Sequence, residues 1–182
     1  MTHKVLHTET TFTGEVFNVR IDHIESVSGQ ARRVDVVEHS GAVALIPLDN
    51  QGRIILVRQY RHPAGEPLLE IPAGTLEAHE DPEACAVRES REEIGMSPGK
   101  MQYLGGTFVA PGYSTEFIHY YLIQDLTPAP LSPDEDEELS VEMISWGEVH
   151  RRIRAMEIRD AKSLAGLLLA GIFLGKIDWP EE

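Results

Sequence analysis

"GTLEAHEDPEACAVRESREEIGM", residues 74–96, crowds Glu89, Glu92 and Glu93 into little more than one helical turn. Asp81 and Pro82 supply a helix start, with Asp as N-cap and Pro in the first turn. The helix is expected to run to about Ile94, with Gly95 fitting its C-terminal cap. On a wheel at ~100° per residue, Glu89 and Glu93 share one face and Glu92 sits beside them. Val87 and Ile94 point to nearly the opposite side, with Ala84 between. One side is therefore expected to pack on a sheet while the other presents carboxylates to a cleft. Like charges at this spacing cost ~0.2–0.5 kcal/mol. Arg88 and Arg91 can offset part of that, and a divalent cation most simply relieves the rest. All-oxygen donors suit Mg²⁺, or Mn²⁺, rather than Zn²⁺. The histidines are scattered without zinc spacing, and Cys85, on the carboxylate face, makes no soft site alone.

Strand patterns surround this helix. "VFNVRIDHIESVSGQARRVDVVEH", 16–39, reads as strands broken at "SGQ". "GAVALIPLDNQGRIILVRQYR", 41–61, is a pair of strongly apolar strands around the turn "DNQG". "LLEIPAG", 68–74, is a short strand ending in a glycine loop. After the helix come two further strands joined by a Pro-Gly loop, then an acidic stretch, another strand and two helices near 147–156 and 160–174. Mixed strands with few helices imply α+β, or a layered α/β/α sandwich, rather than a strict βαβ array.

The 182 residues fit one domain with a substantial core, or one domain with a small addition. A net charge of −14 argues against nucleic acid or an anionic membrane as partner. A lone cysteine excludes an intrachain disulfide and suits a reducing compartment, so a cytoplasmic location is expected. "MTHKVLHTETTF" lacks signal-peptide character. "LAGLLLAGIFLG", 164–175, is far short of the ~20 residues that span a bilayer and reads as a core or interface helix.

Read as a whole, residues 74–96 resemble the Nudix box. Gly74, Glu80, Arg88, Glu89, Glu92, Glu93, Gly95 and Met96 match its fixed positions, and Ser90 departs where an aliphatic residue is preferred. So many fixed charged positions make the pattern specific. The resemblance implies a Nudix hydrolase: a loop–helix–loop metal platform in an α/β/α sandwich with a mixed sheet, cleaving a nucleoside diphosphate linked to another group. It implies the Ala73 carbonyl, Glu89 and Glu93 as metal ligands and Arg88 as a structural partner of Glu92 or a neighbour. Gly74 would let the loop backbone approach the metal. Glu92 and Glu93 join the expected catalytic carboxylates, while Gly74, Glu80, Arg88 and Gly95 hold the motif's shape.

The flanks resemble the ADP-ribose pyrophosphatase branch of that family. They are "VRQYRHPAGEPLLEIPAG" (57–74), "APGYSTE" (110–116), "PDEDEELSVEMISW" (133–146) and "RDAKSLAGLLL" (159–169). Arg61, with Arg58 and Glu70, is expected at the substrate, where a guanidinium can hold phosphate bidentately. Pro111, Gly112, Ser114 and, as a lesser contributor, Glu116 would line it, with backbone N–H groups of the turn facing ribose or phosphate. Phe17, Phe108 and Tyr113 are candidates for stacking on adenine. The acidic stretch would supply Glu135 as the base acting on water and Glu137 as a further metal ligand. Residues 1–40 would form a small antiparallel β region packed across a twofold in a homodimer, and 41–182 the hydrolase domain. The implied reaction converts ADP-ribose to AMP and ribose 5-phosphate. GDP-mannose hydrolysis, or a non-catalytic nucleotide-sensing domain, would be the alternative.

Overall fold

The computed structural model describes residues 3–131 and 139–177. It divides into two compact units: residues up to Gly41 with Thr107–Phe117, and Ala42–Gly106 with the chain from Ile118 onward.

In the first unit, β1 (Lys4–Thr13), β2 (Asn18–Glu25) and β3 (Ala31–Glu38) form an antiparallel sheet in that order. Strand β1 falls in the β region expected over residues 1–40, but the sequence pattern does not mark its bounds. Its ten residues are exposed on both faces, so nothing selects the apolar alternation by which strands are recognised. The segment 107–117 was expected to go with the hydrolase domain but groups with this sheet. Val37 N–H donates to the Tyr113 carbonyl at 2.7 Å, and Thr115 N–H donates to the Val37 carbonyl at 2.9 Å.

The second unit holds β4 (Ala42–Pro47), β5 (Ile54–Arg61), β6 (Glu66–Glu70), β7 (Ala73–Thr75) and α1 (Pro82–Glu93). There follow β8 (Met96–Ser97), β9 (Lys100–Phe108), β10 (Phe117–Gln124), β11 (Thr127–Pro128), β12 (Leu139–Ile144), α2 (Trp146–Arg154) and α3 (Ala161–Phe173). Strands β9 and β10 run in from the 107–117 segment.

The main sheet is mixed, in the order β7-β4-β10-β9, with β4 and β10 parallel and β4 and β7 antiparallel. Every residue of β4 is buried, which explains its unbroken apolar sequence. Val43 and Leu45 point with Tyr121 and Ile123 toward Cys85 and Ala86 of α1. Ala44 and Ile46 point the other way, into a larger core shared with Leu56, Leu69, Val149 and Leu167. That core joins the main sheet to a second one, β12-β5-β6, and to α2 and α3. The result is the layered α+β architecture expected from the pattern. Among the described residues no helix is long and apolar enough to cross a membrane.

Candidate active site

Helix α1 begins and ends as its sequence dictates. The Asp81 side chain accepts from Glu83 N–H at 2.7 Å, Pro82 occupies the first turn, and Gly95 takes a φ of 69° just beyond the last turn. Its buried face is not the expected one. Ala84 is exposed and Val87 and Ile94 are only partly covered, whereas Cys85, Ala86, Glu89, Ser90 and Glu93 are buried. Small side chains at 85, 86 and 90 let the helix axis come close to the sheet. The two glutamates are accommodated because the neighbouring backbone supplies partners and room. Ala73 N–H donates to Glu93 Oε2 at 3.0 Å. A Cβ placed on Gly74 would land on the Glu89 carboxyl group, so glycine is what admits that side chain. Ser90, the departure from the motif, is fully buried and donates through Oγ to the Met96 carbonyl at 2.8 Å, the local adjustment its polarity requires.

Arg88 answers the crowding. Its Nε and Nη2 meet the two oxygens of Glu80, each at 2.9 Å. Its Nη1 reaches Glu89 at 2.6 Å and Glu92 at 3.0 Å, and Nη2 also donates to the Thr75 carbonyl at 3.2 Å. The Arg88 hydrogen bond leads in lowering the Glu80 pKa to about 2, and the same bond raises the arginine's own pKa. Glu92, expected among the catalytic carboxylates, accepts from Arg88 Nη1, the pairing expected for that arginine. Arg91 does not share in this neutralisation. It donates to the Ala129 carbonyl at 3.0 Å, tying α1 to the chain that leads into the acidic stretch. Burial pushes the Cys85 thiol pKa up, so this side chain is an inert part of the packing at neutral pH.

Two buried carboxylates, Glu89 and Glu93, therefore flank the Ala73–Gly74 backbone. Among the described residues no group of three or more His, Cys, Asp or Glu is disposed to hold a metal. The donors that Glu89, Glu93 and the Ala73 carbonyl offer are oxygens, which fits a hard divalent cation. Glu135 and Glu137 lie outside the described residues.

The expected phosphate-binding side chains separate. Arg58 and Arg61 stand on opposite faces of β5, because their spacing of three reverses direction along a strand. Arg58 is taken by Glu142 of β12, at 2.7 and 2.9 Å, and Glu142 is shared with Arg152 of α2 at 2.7 Å. Arg58 thus belongs to a sheet–helix ion-pair network on the face of β5 opposite Arg61. Glu70 is also placed differently. It is buried and serves as an anchor, accepting from Arg61 Nε at 3.1 Å and Nη2 at 2.8 Å, and pairing with Lys162. Burial acts to raise the Glu70 pKa, but the Arg61 hydrogen bond and the Lys162 charge outweigh it, and the net shift is downward. Lys162, in the stretch 159–169, pairs with Glu70 and Asp160, contacts that the sequence reading does not include.

Pro111, Gly112, Ser114 and Glu116 belong to the first unit. The turn they form uses most of its own donors. Tyr113 and Ser114 N–H both donate to the Ala110 carbonyl, Thr115 N–H to Val37, and Glu116 N–H to Ser114 Oγ. The N–H groups of 113–116 are thus spent within the unit rather than offered to a ligand. Phe17, Phe108 and Tyr113 are all exposed.

A mixed sheet thus carries a glycine loop and a helix whose buried Glu89 is braced by Arg88 and whose buried Glu93 is held by the Ala73 N–H. Residues 38–167 match the NUDIX domain model, and the chain belongs to that family: it is a Nudix hydrolase. Nudix hydrolases generally use a divalent metal. The chain is 36% identical over 163 residues to the methanol dehydrogenase activator of Bacillus methanolicus, covering 88% of each chain. It is 33% identical over 162 residues to the ADP-ribose pyrophosphatase of Bacillus subtilis (strain 168), again covering 88% of each. The crystal structure of an ADP compounds hydrolase superposes with a TM-score of 0.85 over 97% of this chain and 96% of that one; at 23% identity the likeness is one of fold.

Proposed function

We propose that this Nudix hydrolase cleaves the diphosphate bond of a nucleoside diphosphate sugar, with ADP-ribose as substrate and AMP and ribose 5-phosphate as products. The observation that carries the reading is the pair of buried carboxylates set against the Ala73–Gly74 backbone, Glu93 held by the Ala73 N–H and Glu89 braced by Arg88. The name of the Bacillus subtilis relative supports ADP-ribose in particular.

Glu89, Glu93 and the Ala73 carbonyl would hold Mg²⁺, which Mn²⁺ could replace, with Glu137 as a further ligand. When bound, such an ion polarises phosphoryl oxygens and lowers the pKa of a coordinated water. Arg61, whose Nε and Nη2 are anchored on Glu70, would attract a phosphate by its guanidinium charge, offsetting locally the net charge of −14. Glu135 would take the proton from the attacking water, a contribution of ~10²–10⁴-fold for a well-placed base.

The chain is read as a cytoplasmic homodimer with neither nucleic acid nor membrane as partner. Strand β1, exposed along its whole length, is the surface a second copy would cover. Light scattering on the full chain and on a chain lacking residues 1–13 tests this, with dimer and monomer as the respective expectations.

The activity test is Mg²⁺-dependent product release from ADP-ribose, GDP-mannose, NADH and diadenosine polyphosphates. ADP-ribose should give the highest kcat/KM. A strong preference for GDP-mannose would overturn the substrate assignment, and no turnover of any of the four would overturn the reaction itself.

A further inference from the structure

The stretch "RDAKS", 159–163, opens α3, and its first turn is fastened to the segment that leads from Arg61's anchor into the glycine loop. Asp160 caps the helix, accepting from Ser163 N–H at 3.2 Å. Ser163 is fully buried, and its Oγ accepts from Ile71 N–H at 2.8 Å. Lys162 reaches back across the same junction. Its Nζ donates to Asp160 Oδ2 at 2.7 Å and to Glu70. Glu70 in turn receives the Arg61 fork. Asp160, Lys162, Glu70 and Arg61 thus form one continuous chain of charged hydrogen bonds.

Burial along this chain is graded. The Glu70 side chain is 2% exposed, that of Lys162 17%, and that of Arg61 37%. A buried anchor therefore carries a guanidinium at the surface. Arginine has large rotamer freedom, and a binding arginine works best when its orientation is fixed beforehand. Glu70 can fix it only if Glu70 is itself held, and Lys162 holds it. There is also a charge consequence. Glu70 alone would cancel the positive charge of Arg61. With Lys162 taking part of the Glu70 charge, Arg61 keeps attraction for an incoming anion.

We propose that Lys162 is a positioning residue: through Glu70 it sets the orientation and effective charge of Arg61 toward the substrate's diphosphate. This rests on the reading of Arg61 as the phosphate-holding residue. Its substrate contact is indirect, so its loss should appear in KM rather than in the chemical step.

The test is steady-state hydrolysis of ADP-ribose by the wild type, R61Q, K162M and the R61Q/K162M double variant, with circular dichroism to confirm folding. D160N, which keeps a capping side chain but removes the charge that steadies Lys162, and K162R complete the set. K162M should raise KM about tenfold, the size of one lost charged hydrogen bond, with kcat within about threefold of wild type. K162R should restore most of the loss, and D160N should give a smaller rise in KM. In the R61Q background K162M should add little, because its effect passes through Arg61. If R61Q raises KM but K162M does not, or multiplies the R61Q effect in full, the proposal fails while the role of Arg61 stands. If R61Q leaves KM unchanged, the role of Arg61 falls and the proposal with it. If K162M does not fold, D160N decides: an unchanged KM there overturns the proposal. Absence of ADP-ribose hydrolysis by the wild type overturns the functional reading and this proposal together.

Discussion

Arg88 grips Glu80 through two parallel hydrogen bonds, Nε to Oε1 and Nη2 to Oε2, each 2.9 Å long. They stand eight positions apart, so the pair closes the loop before α1 onto the helix and aims the remaining guanidinium nitrogen at Glu89 and Glu92.

That closure has a pH signature. The Glu80 carboxyl is lowered from 4.5 to about 2, with the Arg88 hydrogen bond as the largest cause. In the window between these values the unfolded chain binds the proton and the folded chain does not, so stability falls as pH falls. The contribution should be complete above about pH 4.5 and lost toward pH 2. E80Q should cost roughly 1–2 kcal/mol near neutrality, the net size of hydrogen bonds to a charged group. Urea titrations of both proteins should show that difference shrinking through the acid window. A difference constant down to pH 2 would refute the assignment.

Glu93 is held by the Ala73 N–H, a bond that glutamine's carbonyl can also accept, so E93Q should fold normally. Its turnover of ADP-ribose should drop at least ~10³-fold, the scale of lost metal and charge stabilisation. Added Mg²⁺ should raise the wild-type Tm and raise that of E93Q less, since an ion bound to the native state stabilises it by mass action. EDTA should abolish activity and excess Mg²⁺ restore it. Near-normal kcat in E93Q would remove the ligand assignment.

G74A separates room from chemistry at the same place. The added methyl falls on the Glu89 carboxyl and must displace it. Overpacking of this kind costs about 1–3 kcal/mol. Because Glu89 is a proposed ligand, kcat/KM should fall with stability, and higher Mg²⁺ should recover activity only in part. A fully active, fully stable G74A protein would show that Glu89 has somewhere else to go.

Ser90 tests how the motif's departure is tolerated. Its buried Oγ donates to the Met96 carbonyl. S90A removes that donor and should cost about 0.5–1.5 kcal/mol in thermal or chemical denaturation, with kcat/KM nearly unchanged. A large loss of activity at unchanged stability would instead place Ser90 in the reaction.

Much of α1 was legible because its determinants are local. Asp81, Pro82 and Gly95 act within a turn of where they stand, and the i, i+4 spacing of Glu89 and Glu93 fixes their common face by backbone geometry alone. The unbroken apolar run of β4 and the apolar first half of β5 likewise marked strands, although the two lie in different sheets. The bounds of strand β1 within the expected N-terminal β region were not legible, because its residues meet solvent rather than a core. The attachment of 107–117 to β3 depends on backbone pairs formed far apart in sequence.

The sequence by itself determined the spacing of the charged motif, the bounds of the helix that carries it and the layered fold class, since each follows from short-range sterics and periodicity. Tertiary structure alone decided which side of α1 is buried. A helical wheel ranks faces by apolarity, but carboxylates can turn inward where a backbone N–H, a glycine gap and a guanidinium receive them. It also chose the partners of the long charged side chains: Glu142 for Arg58, the Ala129 carbonyl for Arg91, and Glu70 for Lys162, 92 positions away. Such side chains have long reach and little local preference, so only the meeting of distant surfaces settles whom they bind.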